Sequence, residues 1–243
     1  MGFEADIAAR YDKWYRKPEG RYADALEREL FLRLVQPRRG QTLLEVGCGT
    51  GHNLEFFKGL GLEVAGVDPS EHMLEIAGKK LQAGATLSLG QAEELNFGDG
   101  SFDIVTLVTM LEFCLDPTEA LKEAARVARE KVYLGVLNKA SLLAIVRRVK
   151  GRFRESVYNQ AKFYTIWAIE RMVKRELGNV PLTWGSVLLF PLGWHRYCHR
   201  ADRLLCFRRN PFGAFLGLCI NVAGSSGEVA RVTSLYAPQA SSG

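Results

Sequence analysis

Three glycines at alternate positions, Gly47, Gly49 and Gly51, follow directly on the run Thr42-Leu-Leu-Glu-Val46. A turn without side chains lets a ligand press against the backbone, and a helix starting just after it offers unpaired N–H groups. Glu45 and Cys48 lie within the same stretch. Asp68, twenty-one residues after Gly47, ends a second apolar run at 62–67. A carboxylate there can accept hydrogen bonds from both hydroxyls of a ribose. A third run ends at Gln91-Ala92-Glu93-Glu94, which offers an amide and backbone groups to an adenine. Together these are the parts of a nucleotide site. Two common versions are excluded by spacing. The dinucleotide fingerprint needs Gly or Ala where His52 stands, and Gly51-His52-Asn53 does not supply the ending of a phosphate-cradling loop.

The elements around these residues alternate. Residues 22–36 read as an amphipathic helix ended by Pro37. Strand 42–46 meets the glycine turn, and a helix starting at Gly51 or His52 carries Leu54, Phe57 and Leu60 on one side. After strand 62–67, Ser70 can cap a further helix. Strands at 86–89, 102–108 and 131–136 follow, with a helix at 117–129 begun by Pro117. Such alternation implies a doubly wound parallel sheet covered on both faces, with ligands bound beyond the carboxyl ends of its strands. The pattern then breaks. A basic amphipathic helix is expected over 139–154 and another helix over 161–177, then an aromatic, proline-containing stretch over 182–194. A final strand is expected at 212–220, and a small, polar C-terminal tail over 223–243.

The 243 residues are 47% hydrophobic and 24% charged, a globular composition that excludes disordered and collagen-like classes. No apolar run is long enough to span a bilayer, and acids and bases interrupt the N-terminus where a signal peptide would be apolar. A cytoplasmic protein is expected. The five cysteines form no C-x-x-C pair, and His195, Cys198, His199 and Cys206 lack the paired spacing of a zinc site, so no metal is expected. The net charge of +5 is uneven: residues 138–210 hold fifteen Lys or Arg against four Asp or Glu. That basic, aromatic-rich segment suits an anionic or amphipathic partner, and helix 139–154 suits peripheral contact with an anionic membrane.

Four stretches in order carry a resemblance: Leu44-Glu-Val-Gly-Cys-Gly-Thr-Gly51, Val67-Asp-Pro-Ser-Glu-His-Met-Leu-Glu-Ile-Ala77, Gly90-Gln-Ala-Glu-Glu-Leu-Asn-Phe97 and Ser101-Phe-Asp-Ile-Val105. The chain resembles class I S-adenosylmethionine (SAM)-dependent methyltransferases of the ubiquinone/menaquinone-biosynthesis type. The likeness covers roughly residues 10–137 and, more loosely, the 212–220 strand. It implies a Rossmann-like α/β fold, a seven-stranded sheet whose last strand is antiparallel, in one domain over 1–222 with 138–210 as substrate cover. It also implies roles. Glu45, Gly47, Gly49 and Gly51 would line the methionine part of the cofactor, with Cys48 in the same cofactor-binding turn, and Asp68 would hold the ribose. Met73 or Pro69 would pack near the adenine, Ala92 and Glu93 would flank its edge, and Thr109 would face the sulfonium. Gln91 stands where relatives usually carry an acid, and it can accept only through a neutral oxygen. Tyr11, in Arg10-Tyr-Asp-Lys-Trp-Tyr15, resembles a lid tyrosine. The expected activity is methyl transfer from SAM, leaving S-adenosylhomocysteine (SAH). His52, Glu112 and Tyr11 are the candidates should a base be needed. A small-molecule acceptor, quinone- or lipid-precursor-like, is the leading reading. An RNA or protein acceptor and a non-catalytic SAM-binding regulator stay open, and no nucleic-acid-binding module is recognisable.

Overall fold

A computed structural model describes residues 12–141, 161–190, 205–207 and 209–223. Tyr11, most of the expected 139–154 helix, the 195–199 stretch and the tail from 224 lie outside the described residues. The first full helix, α1 (Pro18–Val35), starts four residues before the periodicity suggests, because Pro18 presets its first turn. Gln36 ends it in the left-handed conformation ahead of Pro37, donating its N–H to Leu32 O. Then β1 (Thr42–Val46), α2 (His52–Gly59), β2 (Glu63–Asp68), α3 (Glu71–Leu81), β3 (Thr86–Leu89) and β4 (Phe102–Val108) alternate as expected. A short turn at Leu111–Phe113 leads to α4 (Pro117–Val127), which Asp116 caps by accepting from the N–H groups of Thr118 and Glu119. The chain passes straight from α4 into β5 (Ala128–Leu137), so the helix is two residues shorter and the strand longer than expected.

After β5 the structure refines the expectations. Residues 161–165 are not helical. Tyr164 instead bridges to Asn138 in parallel, and α5 (Ile166–Leu177) starts at the Thr165 cap. The aromatic stretch contains a strand that the sequence reading lacks, β6 (Leu182–Val187), and β7 (Phe215–Asn221) follows. Seven strands form one sheet in the order β3-β2-β1-β4-β5-β7-β6. β7 pairs antiparallel with both β5 and β6, so it alone opposes the others. This is the doubly wound, mostly parallel Rossmann-like sheet expected, with its last strand reversed.

Strand residues alternate between two cores. Leu44, Ala65, Val105 and Leu134 pack with Ala120, Leu121 and Ala124 of α4 and Ile166 and Ile169 of α5. On the other face, Leu43, Val64, Ile104 and Tyr133 meet Phe31 of α1, Leu54 and Phe57 of α2, and Ala77 and Leu81 of α3. Below the sheet, at the strands' amino ends, polar groups are paired. Asp103 accepts from the Thr42 N–H (2.9 Å), the Thr42 hydroxyl (3.0 Å) and Arg129 (2.7 Å). Asp103 therefore ties β4 to β1 rather than serving a site. No helix among the described residues is long and apolar enough to cross a membrane.

Candidate functional site

In the sheet order, the carboxyl ends of β3, β2, β1 and β4 stand side by side, and the residues singled out above follow those ends. The glycine turn is anchored by Val67 O, which accepts from the N–H groups of Gly47 (2.7 Å) and Cys48 (3.0 Å). Gly49 has φ +51, and a Cβ placed there would meet nothing within 4 Å, so its bare face opens on free space. At Gly47 (φ +75) a Cβ would come 2.4 Å from Met110 Cγ, so the turn also needs glycine to seat against the β4 loop. Gly51 opens α2 without a side-chain cap of its own, and the Leu54 N–H in the first turn is directed at the Glu45 carboxyl.

Two carboxyls lie beneath this turn. Glu45 is 2% exposed. Its Oε1 accepts from Asn53 Nδ2 at 2.8 Å, while Oε2 has no partner. Burial pushes the Glu45 carboxyl up to about 8; the Asn53 hydrogen bond opposes the rise, and the nearby Asp68 charge adds to it. Asp68, also buried, accepts from Gly49 N–H at 2.8 Å through Oδ2 and from Ser70 N–H at 3.0 Å through Oδ1. Burial raises its pKa and those two N–H donors hold it down. The Cys48 thiol is raised by burial and by the Glu45 and Asp68 charges, so it is no nucleophile.

The neighbouring strand ends complete the row. Pro69 is exposed beside Asp68, and Ser70 caps α3 by accepting from the N–H of Met73, which is buried. Gln91 is exposed and bridges to Glu94, while Ala92 is buried between them. Glu93 Oε1 accepts from the N–H groups of Leu115 (3.0 Å) and Asp116 (3.2 Å), tying the β3 loop to the β4 loop. Thr109 has φ +52, a strained conformation for a β-branched residue, and donates its N–H to Gly135 O at 2.7 Å.

The base candidates are engaged elsewhere. His52 turns its ring toward α1, with Nε2 3.0 Å from Asp24 Oδ1 and 2.9 Å from Arg28 Nη2, and Tyr15 stacks on it. A base role at His52 would require that pairing to break. Glu112 is 1% exposed, its Oε1 accepting from Leu137 N–H at 2.6 Å and its Oε2 unpartnered. Burial pushes its carboxyl up to about 7 against two backbone donors. Meeting an acceptor would require its surroundings to open. The sequence reading omits Asn53, which orients Glu45, and Thr50, Asp12 and Lys80, which meet beside the turn. Thr50, Asp12 and Lys80 find partners far along the chain, which leaves no local pattern, whereas Asn53 reaches Glu45 across the turn itself. A groove of about 270 Å³, lined by Glu170, Lys174, Trp184 and Arg209 among others, lies at the amino end of β6 and is separate from this site.

The residues fit a cationic nucleoside ligand. A buried, unpartnered carboxylate oxygen suits an ammonium, the Asp68 carboxylate suits a ribose, and the bare face of Gly49 admits close approach. Comparison with known proteins agrees. Residues 44–136 match the model of a methyltransferase domain family. An uncharacterized protein of Methanocaldococcus jannaschii is 33% identical over 173 residues, covering 70% of this chain and 78% of the relative. The chain belongs to the class I SAM-dependent methyltransferases. A ubiquinone biosynthesis O-methyltransferase of Thiobacillus denitrificans is 33% identical over 153 residues, 58% of this chain and 66% of that protein. The fold of this methyltransferase is also that of a SAM-dependent methyltransferase of Thermotoga maritima, with a TM-score of 0.70 at 24% identity over 89% of this chain and 96% of that one. Its cofactor is SAM, which supplies an already activated methyl group when bound.

Proposed function

We propose that this methyltransferase acts on a small, amphipathic acceptor of the quinone- or lipid-precursor kind. The observation that carries the reading is an apolar rim at the cofactor end of the sheet. Leu115 is 88% exposed and Phe113 also lies open, both in the loop after β4. Phe212 is exposed just before β7, whose first residue, Phe215, pairs with Leu137 at the carboxyl end of β5. Large apolar side chains left open around a site mark a surface that is covered in use, here by an acceptor's apolar part. The Thiobacillus relative's name supports the same class.

In this reading Asp68, Gly49 and Glu45 orient the cofactor, and the β4 loop carrying Thr109 and Met110 forms the boundary between cofactor and acceptor. The protein's contribution to the transfer is to hold the nucleophile in line and exclude water. Glu112 serves by fixing the end of β5 through Leu137 N–H. The test is methyl transfer from radiolabelled SAM to hydroxylated aromatic acceptors with and without an isoprenoid tail, beside bulk tRNA and a protein mixture. Tail-dependent KM, raised several-fold by Leu115→Lys with SAH affinity unchanged, is expected. Transfer to RNA or protein alone would overturn the acceptor class, and SAH binding without transfer to any acceptor would favour a regulator.

A further inference from the structure

The glycine turn is braced from outside by the N-terminal segment. Residues 12–16 form a helical turn that ends at Lys17, just before α1. At one end of it, Asp12 Oδ1 accepts from the Thr50 hydroxyl at 2.7 Å. Thr50 is wholly buried between Gly49 and Gly51, inside the turn that approaches the cofactor. Lys80, in the last turn of α3, donates to both Asp12 oxygens (3.2 and 3.1 Å) and to Thr50 Oγ1 (3.3 Å). At the other end, Tyr15 stacks on His52 with ring centroids 3.7 Å apart, and His52 is the first residue of α2. The Trp14 carbonyl lies so close to Gly20 that a Cβ there would come within 2.0 Å of it, which fixes the bend into α1. The segment thus spans from α3 to α1 across the glycine turn and the start of α2.

We propose that Asp12 and Lys80 are positioning residues: an ion-pair latch, closed on the Thr50 hydroxyl, that sets how fast SAM enters and SAH leaves. The reading rests on SAM use by this site. Chemistry favours the pair for a latch over a scaffold. Its two side chains are 24% and 21% exposed, deep enough to escape full screening and shallow enough to separate without opening a core. The hydroxyl oxygen of Thr50 couples the pair to the turn. When Asp12 swings away from Lys80, the buried Thr50 hydroxyl loses its acceptor, and the turn carrying Gly49 and Gly51 loses its brace to the N-terminal segment. The cofactor approaches the bare face of Gly49 in that turn, so a turn freed of its brace admits and releases it faster.

The test uses the full chain and four variants: Asp12→Asn, Lys80→Met, the two combined, and the exchanged pair Asp12→Lys with Lys80→Asp. SAH association and dissociation are followed by stopped-flow fluorescence, and backbone hydrogen exchange over residues 12–17 is measured without ligand. Each single variant is expected to raise both rates about tenfold, with Kd moving less than either rate and exchange over 12–17 faster. The double variant should resemble the singles, and the exchanged pair should return the rates to within about threefold of the native chain. Native rates in the singles, additive effects in the double, or unchanged hydrogen exchange would overturn the latch. Failure of the unaltered chain to bind SAH would overturn the cofactor reading and the latch with it, and is told apart by appearing before any substitution.

Discussion

Glu112→Gln separates a base from a buried brace. Gln is nearly isosteric: its carbonyl oxygen can keep the 2.6 Å bond from Leu137 N–H, and its NH2 takes the place of the unpartnered Oε2. The carboxyl is raised from 4.5 to about 7 by burial, against backbone donors that favour its charged form. Between those values the folded chain binds a proton that the unfolded chain has released, so stability falls as pH rises. The contribution of the protonated form is complete below 4.5 and lost as pH passes through about 7. At roughly 1.36 kcal/mol per unit, the full loss is about 3 kcal/mol, an upper figure because the surroundings relax. The Gln variant does not ionise and escapes that loss. Its melting temperature should match the native chain's near pH 4.5 and exceed it at pH 8.5, by up to about 6–12 °C for a chain of this size. Calorimetry of both proteins across that range checks it, since every other titrating group cancels in the difference. A difference that stays constant with pH would refute the argument, because Glu112 would then have a cationic partner or lie open to water. If turnover falls by orders of magnitude while the stability gain appears, Glu112 is a base as well as a brace.

Asp68→Asn leaves one of the two N–H groups, of Gly49 or Ser70, facing an NH2, so SAH affinity should fall about 10- to 100-fold and stability by about 1–3 kcal/mol; titration calorimetry and thermal melts read both. Gly49→Ala places a Cβ in the open space beside the turn at φ +51, costing roughly 1–2 kcal/mol of strain and blocking close approach, so SAH binding should weaken more than the melting temperature drops. Glu45, raised to about 8, holds a proton at pH 7 that an ammonium beside Oε2 would displace. SAH binding at pH 7 should therefore release close to one proton, fewer at pH 9 and none in Glu45→Gln, as measured by calorimetry in buffers of different ionisation enthalpy.

How much of this was legible depended on whether a residue's role is local. The β1 turn, Asp68 and the Ser70 cap show themselves because strand, turn and helix start are adjacent in sequence. β6 escaped detection because Leu182-Thr-Trp-Gly-Ser-Val187 follows Pro181, and Gly185 and Ser186 break its alternation. It is a strand because the edge of β7 offers it partners. His52 looked free beside the glycine turn, yet Asp24 and Arg28 of α1 claim its ring from twenty-eight and twenty-four residues away. Glu112 stands in the sequence as a base candidate, and only the return of the chain along Tyr164 and Lys162 encloses it. Its backbone oxygen receives the Lys162 N–H at 2.9 Å, a contact no reading of the 109–116 stretch could supply.

The distribution of unfavourable features follows the same division. Among the described residues, three buried polar atoms lack a partner, and two of them, Glu45 Oε2 and Glu112 Oε2, lie at the carboxyl ends of β1 and β4. Positive-φ backbone does not divide this way: Thr109 and Leu188 follow strand carboxyl ends, while Gln36 and Gln82 close the helices ahead of β1 and β3. At the amino ends the acids are satisfied: Asp103 by Thr42 and Arg129, and Glu130 by Arg38 and Gln41. Folding alone would select against an unpaired buried carboxyl at either end equally. Both unpaired carboxyls lie at the carboxyl end of the sheet, and at Glu45 a cationic ligand is a chemistry that would remove the cost. The same logic sets Tyr133 apart. Its unpartnered hydroxyl sits within β5 under α1, away from the strand ends, so no ligand relieves it and its burial is a cost of packing.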